Sequence, residues 1–171
     1  MNMSTLNQKG KVLFIIHDVY QEDNNFPLGI GYLAAVLKKE GVDVKVCCQD
    51  VFHCPDEEMA EKFLKDEEYD LIGLGFKAAR FRETILSLTE TINKYKKNAW
   101  LVLGGHGPSS IPEYTLEKTG ADIVAIGEAE ETIIELLKCK LEGGDLSQIK
   151  GIAYQSKDGV KVNIRRGLVT N

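Results

Sequence analysis

The chain has 171 residues, 43% of them hydrophobic, which is enough to enclose one full-sized core. Its net charge of −5, with the basic residues scattered, argues against a nucleic-acid phosphate track. No apolar run approaches the roughly 20 residues of a membrane span. The polar start at residues 1–10 lacks a signal peptide's apolar stretch, so a disordered lead-in and a cytoplasmic, reducing setting are expected.

In chain order, residues 12–16 form the short apolar run of a strand buried on both faces. Residues 28–39 read as a helix with Leu28, Tyr32, Ala35, Val36 and Lys39 on its inner face and Gly41 as its stop. A second, more peripheral strand at 44–48 precedes a short acidic helix at 57–65. The third strand, 71–76, is opened by Asp70. Residues 82–96 then carry Ile85, Leu88, Ile92 and Tyr95 on one helical stripe. A fourth strand at 100–103, a helix at 111–118, a fifth strand at 123–126 and a helix at 130–141 complete the alternation. In that last helix Ile133, Ile134, Leu137 and Leu141 face inward, and Gly143-Gly144 ends it.

Strands separated by helical crossovers predict an α/β domain over residues 11–150. The expected architecture is a flavodoxin-like, doubly wound, five-stranded parallel sheet of order 2-1-3-4-5. Two further strand segments, 152–155 and 160–164, flank Ser156-Lys157-Asp158-Gly159, where Asp-Gly signals a hairpin. A small C-terminal β-hairpin over 151–164 and a polar exit over 165–171 are therefore expected.

Ligands of such sheets bind beyond the carboxyl ends of the strands, nearest the point where strand order reverses. The loops after Ile16 and Gly75 border that crevice. Gly104-Gly105-His106-Gly107-Pro108 after the fourth strand and Gly127-Glu128 after the fifth mark two more strand ends where backbone can approach a ligand. His17 and His106 fall within reach of the crevice. His53 follows the second strand, beside Cys54 and Pro55, too far away to complete a three-histidine metal site. Ser109 and Ser110 serve as helix caps or as phosphate contacts. Cys47, Cys48, Cys54 and Cys139 show no iron–sulfur or zinc spacing and read as small buried hydrophobes. No Gly-x-Gly-x-x-Gly, P-loop or Gly-x-Ser-x-Gly pattern occurs. Asp18, Glu22 and Asp23 make an acidic loop like that of a phosphoreceiver, but Gly75-Phe76-Lys77 stands where a receiver needs its aspartate.

Four segments in order resemble the N-terminal B12-binding domain of cobalamin-dependent radical SAM enzymes. They are Phe26-Pro27-Leu28-Gly29-Ile30-Gly31-Tyr32-Leu33-Ala34-Ala35, Asp70-Leu71-Ile72-Gly73-Leu74, the Gly104-Gly105 loop through Pro112-Glu113, and Asp122-Ile123-Val124-Ala125-Ile126-Gly127-Glu128-Ala129-Glu130. Gly151-Ile152-Ala153-Tyr154 is similar to that family's trailing hairpin.

The resemblance implies a cobalamin across the carboxyl edge, its nucleotide tail directed into the sheet. The implied contacts are His17, Asp18, Pro27, Leu28, Gly29, Gly75, Phe76, Lys77, Gly104, Gly105, His106, Gly127 and Glu128. The Asp-x-His-x-x-Gly motif that supplies a lower cobalt ligand in methionine-synthase-type domains is absent, since the loop reads His17-Asp18-Val19-Tyr20-Gln21-Glu22. The family's Cys-x3-Cys-x2-Cys motif is also absent from this stretch. The expected role is the cofactor module of a methyltransferase-type enzyme, with residues 165–171 leading toward a radical SAM domain that binds S-adenosylmethionine and a 4Fe-4S cluster. A flavin- or nucleotide-binding domain, and a non-catalytic regulatory or interaction domain, are the alternatives. A flavin domain, however, needs a hydroxyl-rich phosphate loop after the first strand, where this chain is acidic.

Overall fold

The computed structural model describes residues 9–18, 26–77 and 82–167. Glu22 and Asp23, most of the expected lead-in, and residues 168–171 of the expected exit lie outside them. Five strands form the parallel core: β1 (Lys11–Ile16), β2 (Asp43–Cys48), β3 (Leu71–Gly75), β4 (Trp100–Gly104) and β5 (Ile123–Ala125). Two more, β6 (Ile152–Ser156) and β7 (Gly159–Val162), follow at the end of the chain. The order is β2-β1-β3-β4-β5-β6-β7, parallel through β5 and antiparallel beyond it. The hairpin therefore extends the sheet, with β6 pairing along β5 from Ile123–Tyr154 to Ala125–Ile152.

Among the described residues the α-helices are α1 (Leu28–Lys39), α2 (Gln49–Phe52), α3 (Asp56–Phe63), α4 (Arg82–Tyr95), α5 (His106–Ser110), α6 (Pro112–Thr119) and α7 (Glu130–Glu142), and they cover the two faces. Alternation along β1 sorts the core into two layers. Leu13 and Ile15 pack with Met59, Leu64, Ile85, Leu88, Ile92 and Leu116 of the α3–α4–α6 side. Val12 and Phe14 pack with Leu37, Ile133, Leu136 and Leu137 of the α1–α7 side. Each fully buried aliphatic or aromatic side chain contributes about 1.5–3 kcal/mol. Gly73, midway along β3, is required by its neighbour: a Cβ there would stand 2.5 Å from the Phe14 ring.

Three expectations need correction. The inner face of α1 is Ile30, Leu33, Ala34, Val36 and Leu37, so Val36 packs inward as expected, whereas Leu28 and Tyr32 are 75% and 61% exposed. Ala35 and Lys39 are exposed as well. Both stripes satisfy helical spacing, and the sheet selects the one that contains Leu37. The helix expected at 111–118 is present as α6, but a separate helical turn, α5, precedes it and ends there because Pro112 has no N–H to donate and cannot continue α5. Directly after β2 the chain makes a helical turn, α2, where a loop was expected, and this turn carries Asp50 and His53 back over β1.

Candidate functional site

The carboxyl ends of β1 to β5 share one edge, and the residues after them divide into a polar half and a glycine half. At the polar half, the crevice between β1 and β3 is bridged by His17, whose ring hydrogen-bonds the backbone of Gly75. Burial pushes the His17 imidazole below its ordinary value of 6.5, against the opposing pull of Asp50, Asp18 and the Gly75 bond. Asp18, 4% exposed, meets His53 with Oδ2 2.8 Å from Nδ1. Asp50, 7% exposed, has its carboxyl raised above the usual carboxylate range, first by burial and further by the charge of Asp18. Gln49 holds the turn that follows, donating from Nε2 to the Cys54 carbonyl at 3.0 Å and to Asp56 Oδ1 at 2.7 Å.

The glycine half is built from backbone. Gly105 (φ 93°) and Gly127 (φ 81°) occupy the left-handed region that side chains avoid. A Cβ on Gly104 or Gly127 would meet nothing within 4 Å, so these two positions face open space. Gly105 and Gly107 differ. Their missing side chains leave room for Phe76, whose carbonyl lies 3.0 Å from a Cβ built at Gly105 and whose ring lies 2.5 Å from one built at Gly107. Phe76 is also tied there by its N–H to the Gly104 carbonyl at 3.2 Å and by the Gly107 N–H to its own carbonyl at 3.1 Å.

Ser109 and Ser110 are not helix caps. Ser110 Oγ donates to the His106 carbonyl at 2.7 Å. Ser109 Oγ donates to the Ala125 carbonyl at 3.3 Å and accepts from Gly127 N–H at 3.2 Å, coupling the two glycine-bearing strand ends. The α1 entry begins at Pro27, whose carbonyl accepts from the Ile30 and Gly31 N–H groups at 3.0 and 3.3 Å. Leu28, Gly29, Lys77, His106 and Glu128 are exposed.

The expected residues thus fall on one edge, in two groups. His17, Asp18 and Gly75 come together, and Phe76 joins them to Gly104, Gly105 and the loop beyond. His53 and Asp50 were missed as members. The signal for them was their position directly after a parallel strand, obscured because a four-residue helical turn carries no periodicity.

Exposed apolar side chains follow the same edge. Among the described residues Phe26, Leu28, Tyr32, Val51, Phe52, Ile111 and Tyr114 are large, apolar and exposed, and all stand between a parallel strand's end and the first turns of the helices after it. Val162 and Ile164 of the hairpin region are the others. A groove of about 530 Å³ lies elsewhere, between α3 and α4. Its polar atoms are paired with one another, Ser87 with Asp56 at 2.8 Å and Lys94 with Glu57 at 2.9 Å, as on a solvated surface.

The fold and edge define a doubly wound domain that presents a ligand surface at its strand tips. Residues 22–137 match the B12 binding domain model, and the chain belongs to that family. It resembles the cobalamin-binding domain of cobalamin-dependent radical SAM enzymes. Cytidylyl-2-hydroxyethylphosphonate methyltransferase of Streptomyces wedmorensis is 28% identical over 82% of this chain and 29% of its own length. Uncharacterized protein MJ1620 of Methanocaldococcus jannaschii is 30% identical over 80% of this chain and 24% of its own. The chain thus spans less than a third of these relatives.

Among solved structures, the radical S-adenosylmethionine methyltransferase TsrM from Kitasatospora setae, with cobalamin and a [4Fe-4S] cluster bound, superposes with a TM-score of 0.84. It is 19% identical, with 96% of this chain and 30% of that chain covered. The cobalamin-dependent S-adenosylmethionine radical enzyme OxsB, with aqua-cobalamin and S-adenosylmethionine bound, gives a TM-score of 0.82 at 22% identity over 94% of this chain and 23% of that one. No helix among the described residues is long and apolar enough to cross a membrane.

Proposed function

We propose that this chain holds a cobalamin on the carboxyl edge of its sheet, as the cofactor module of a radical SAM methyltransferase-type enzyme. The observation that carries this reading is the open backbone at Gly104 and Gly127, side by side on strand ends and linked through Ser109. Exposed apolar side chains around the same edge add the surface a large, partly apolar macrocycle would cover.

The residues fit the group, with one refinement. Phe76 fills the space over Gly107, so room for the nucleotide tail is left at Gly104 and Gly127 and not over Gly105 and Gly107. His17, Asp18, Gly75, Phe76 and Lys77 would border the corrin on one side. Pro27, Leu28 and Gly29 would do so at the α1 entry, and Gly105, His106 and Glu128 at the glycine half. When bound, cobalamin supplies the carbon–cobalt chemistry; the chain's own part is to place it and to exclude water from it. No Asp-x-His-x-x-Gly histidine would reach the lower face.

Residues 11–150 would form the cofactor domain proper, 151–164 its hairpin, and 165–171 the path toward a radical SAM domain of the same polypeptide. That partner would bind S-adenosylmethionine and the 4Fe-4S cluster. Arg166 holds this path against α7, its guanidinium reaching Thr132 at 3.1 Å, Glu131 at 2.6 Å and also Glu135.

Titrating the purified chain with hydroxocobalamin tests the reading. Saturable binding, seen as co-elution of visible absorbance with the protein, is expected. A chain that stays colourless after gel filtration would rule it out.

A further inference from the structure

Packing does not explain the cluster formed by Asp18, Asp50 and His53. Asp18 is buried, and its Oδ2 lies 2.8 Å from His53 Nδ1. A carboxylate in that place keeps the proton of a neutral imidazole on Nδ1 and leaves Nε2 as an acceptor. His53 is half exposed, its side chain 52% accessible. Its backbone is left-handed (φ 48°, ψ 36°), a conformation that glycine or asparagine adopts at less cost. The Gln49 bonds to Cys54 and Asp56 hold the turn on which it sits.

Asp50 supplies the independent observation. It is 7% exposed, and its Oδ1 has no hydrogen-bond partner among the described residues. A buried acceptor left without a donor is costly and asks for one. The set is not a metal centre, since among the described residues no three or more His, Cys, Asp or Glu side chains converge to hold an ion.

His53 Nε2 and Asp50 Oδ1, two acceptors on one wall of the ligand edge, select a partner that brings N–H donors. Cobalamin carries primary carboxamides around its ring. Resting on the cobalamin reading above, we infer that His53, oriented by Asp18, forms with Asp50 an acceptor wall that takes hydrogen bonds from the carboxamide N–H groups of the corrin periphery. His53 is then a ligand-positioning residue contributed by the loop after β2.

The test uses the full chain and hydroxocobalamin. Replacing His53 with glycine loses the bond to Asp18 but relaxes the left-handed backbone, so His53→Gly should melt within a few degrees of the unmodified chain. Its affinity for hydroxocobalamin should fall about fivefold to tenfold, the loss of one net hydrogen bond. In proton–nitrogen spectra of the unmodified chain, the His53 Nε2 resonance should move on addition of the corrinoid, a readout that does not depend on any variant folding.

An unmoved Nε2 resonance, or equal affinity in His53→Gly, overturns the inference and leaves the cobalamin reading standing. A shift in the visible bands of hydroxocobalamin that disappears in His53→Gly would mean direct coordination to cobalt and would overturn the carboxamide assignment. Failure of the unmodified chain to bind at all removes both readings together.

Discussion

The two edges of the sheet treat their polar groups in opposite ways. At the amino edge the acidic residues just before β3 and β5 are matched within the protein. Asp70 accepts the Lys11 N–H at 2.7 Å, and Asp122 accepts the Leu101 N–H at 2.7 Å while pairing with Lys96. Glu67 lies between Lys11 and Lys45, which together hold its carboxyl down to about 2. At the carboxyl edge Gly104 and Gly127 face open space, apolar side chains are exposed and Asp50 keeps an oxygen with no partner among the described residues. Asp70, Asp122 and Glu67 at one end are thus matched within the protein, although the buried Tyr69 hydroxyl there has no partner among the described residues, while the other end combines open glycines, exposed apolar side chains and Asp50 Oδ1. Polar groups that pair internally stabilise the fold, and a buried group left without a partner calls for an explanation, which at the carboxyl edge a ligand would supply.

The contrast can be broken from either side. The largest effect is expected from Gly104→Val. Its backbone is not left-handed and a Cβ there meets nothing, so the fold should tolerate the change. The side chain would, however, occupy the room proposed for the tail. Overpacking a ligand slot costs about 1–3 kcal/mol, so affinity for hydroxocobalamin should drop about tenfold to a hundredfold, read by the same titration. Unimpaired binding would move the tail elsewhere.

At the other edge, Asp122→Ala should lower stability by about 1–3 kcal/mol, because it strands a backbone donor of β4 and unpairs Lys96. Urea denaturation measures that loss, and corrinoid affinity should not change. A matching loss of affinity would show that the two edges are coupled.

The smallest effect concerns pH. His17 has a folded-state value below its unfolded value of 6.5, so the unfolded chain takes up that proton first as pH falls. The stability His17 contributes is therefore full above 6.5 and is lost as pH falls through its lower folded value. Asp50 runs the other way: raised above 3.8, it contributes stability at low pH that is lost as pH rises through its folded value. Denaturation midpoints measured between pH 7.5 and 5.5 should fall in the unmodified chain and flatten in His17→Gln, to a degree set by a single partly opposed group. An identical slope in both would exclude His17 as the source.

Much of this was legible along the chain. Apolar runs of five residues separated by amphipathic stretches specified the parallel order, and Asp158-Gly159 specified the hairpin. Gly104, Gly105 and Gly127 marked the carboxyl edge as the candidate site from residue type alone. Most of the inner face of α1 was not legible, because residues 28, 32, 35 and 36 and residues 30, 33, 34 and 37 both repeat with helical spacing, and of the first set only Val36 packs inward. Periodicity describes a stripe without saying which of two stripes the sheet will cover. The purposes of Gly105 and Gly107 were equally hidden: the partner that needs their bare backbone is Phe76, about 30 residues earlier in the chain and brought there by the β3–β4 pairing.

Residue order alone set the alternation of strands and helices, the edge on which the glycines fall and the family to which the chain belongs. Those properties follow from local spacing and residue type. Long-range packing was needed to bring His53 against Asp18 and to leave Gly104 and Gly127 as the open positions. It also decided that Ser109 joins two strand ends instead of capping a helix. These are meetings between residues 16 to 35 positions apart, and no local pattern encodes them; they arise when parallel strands bring distant loops to the same edge.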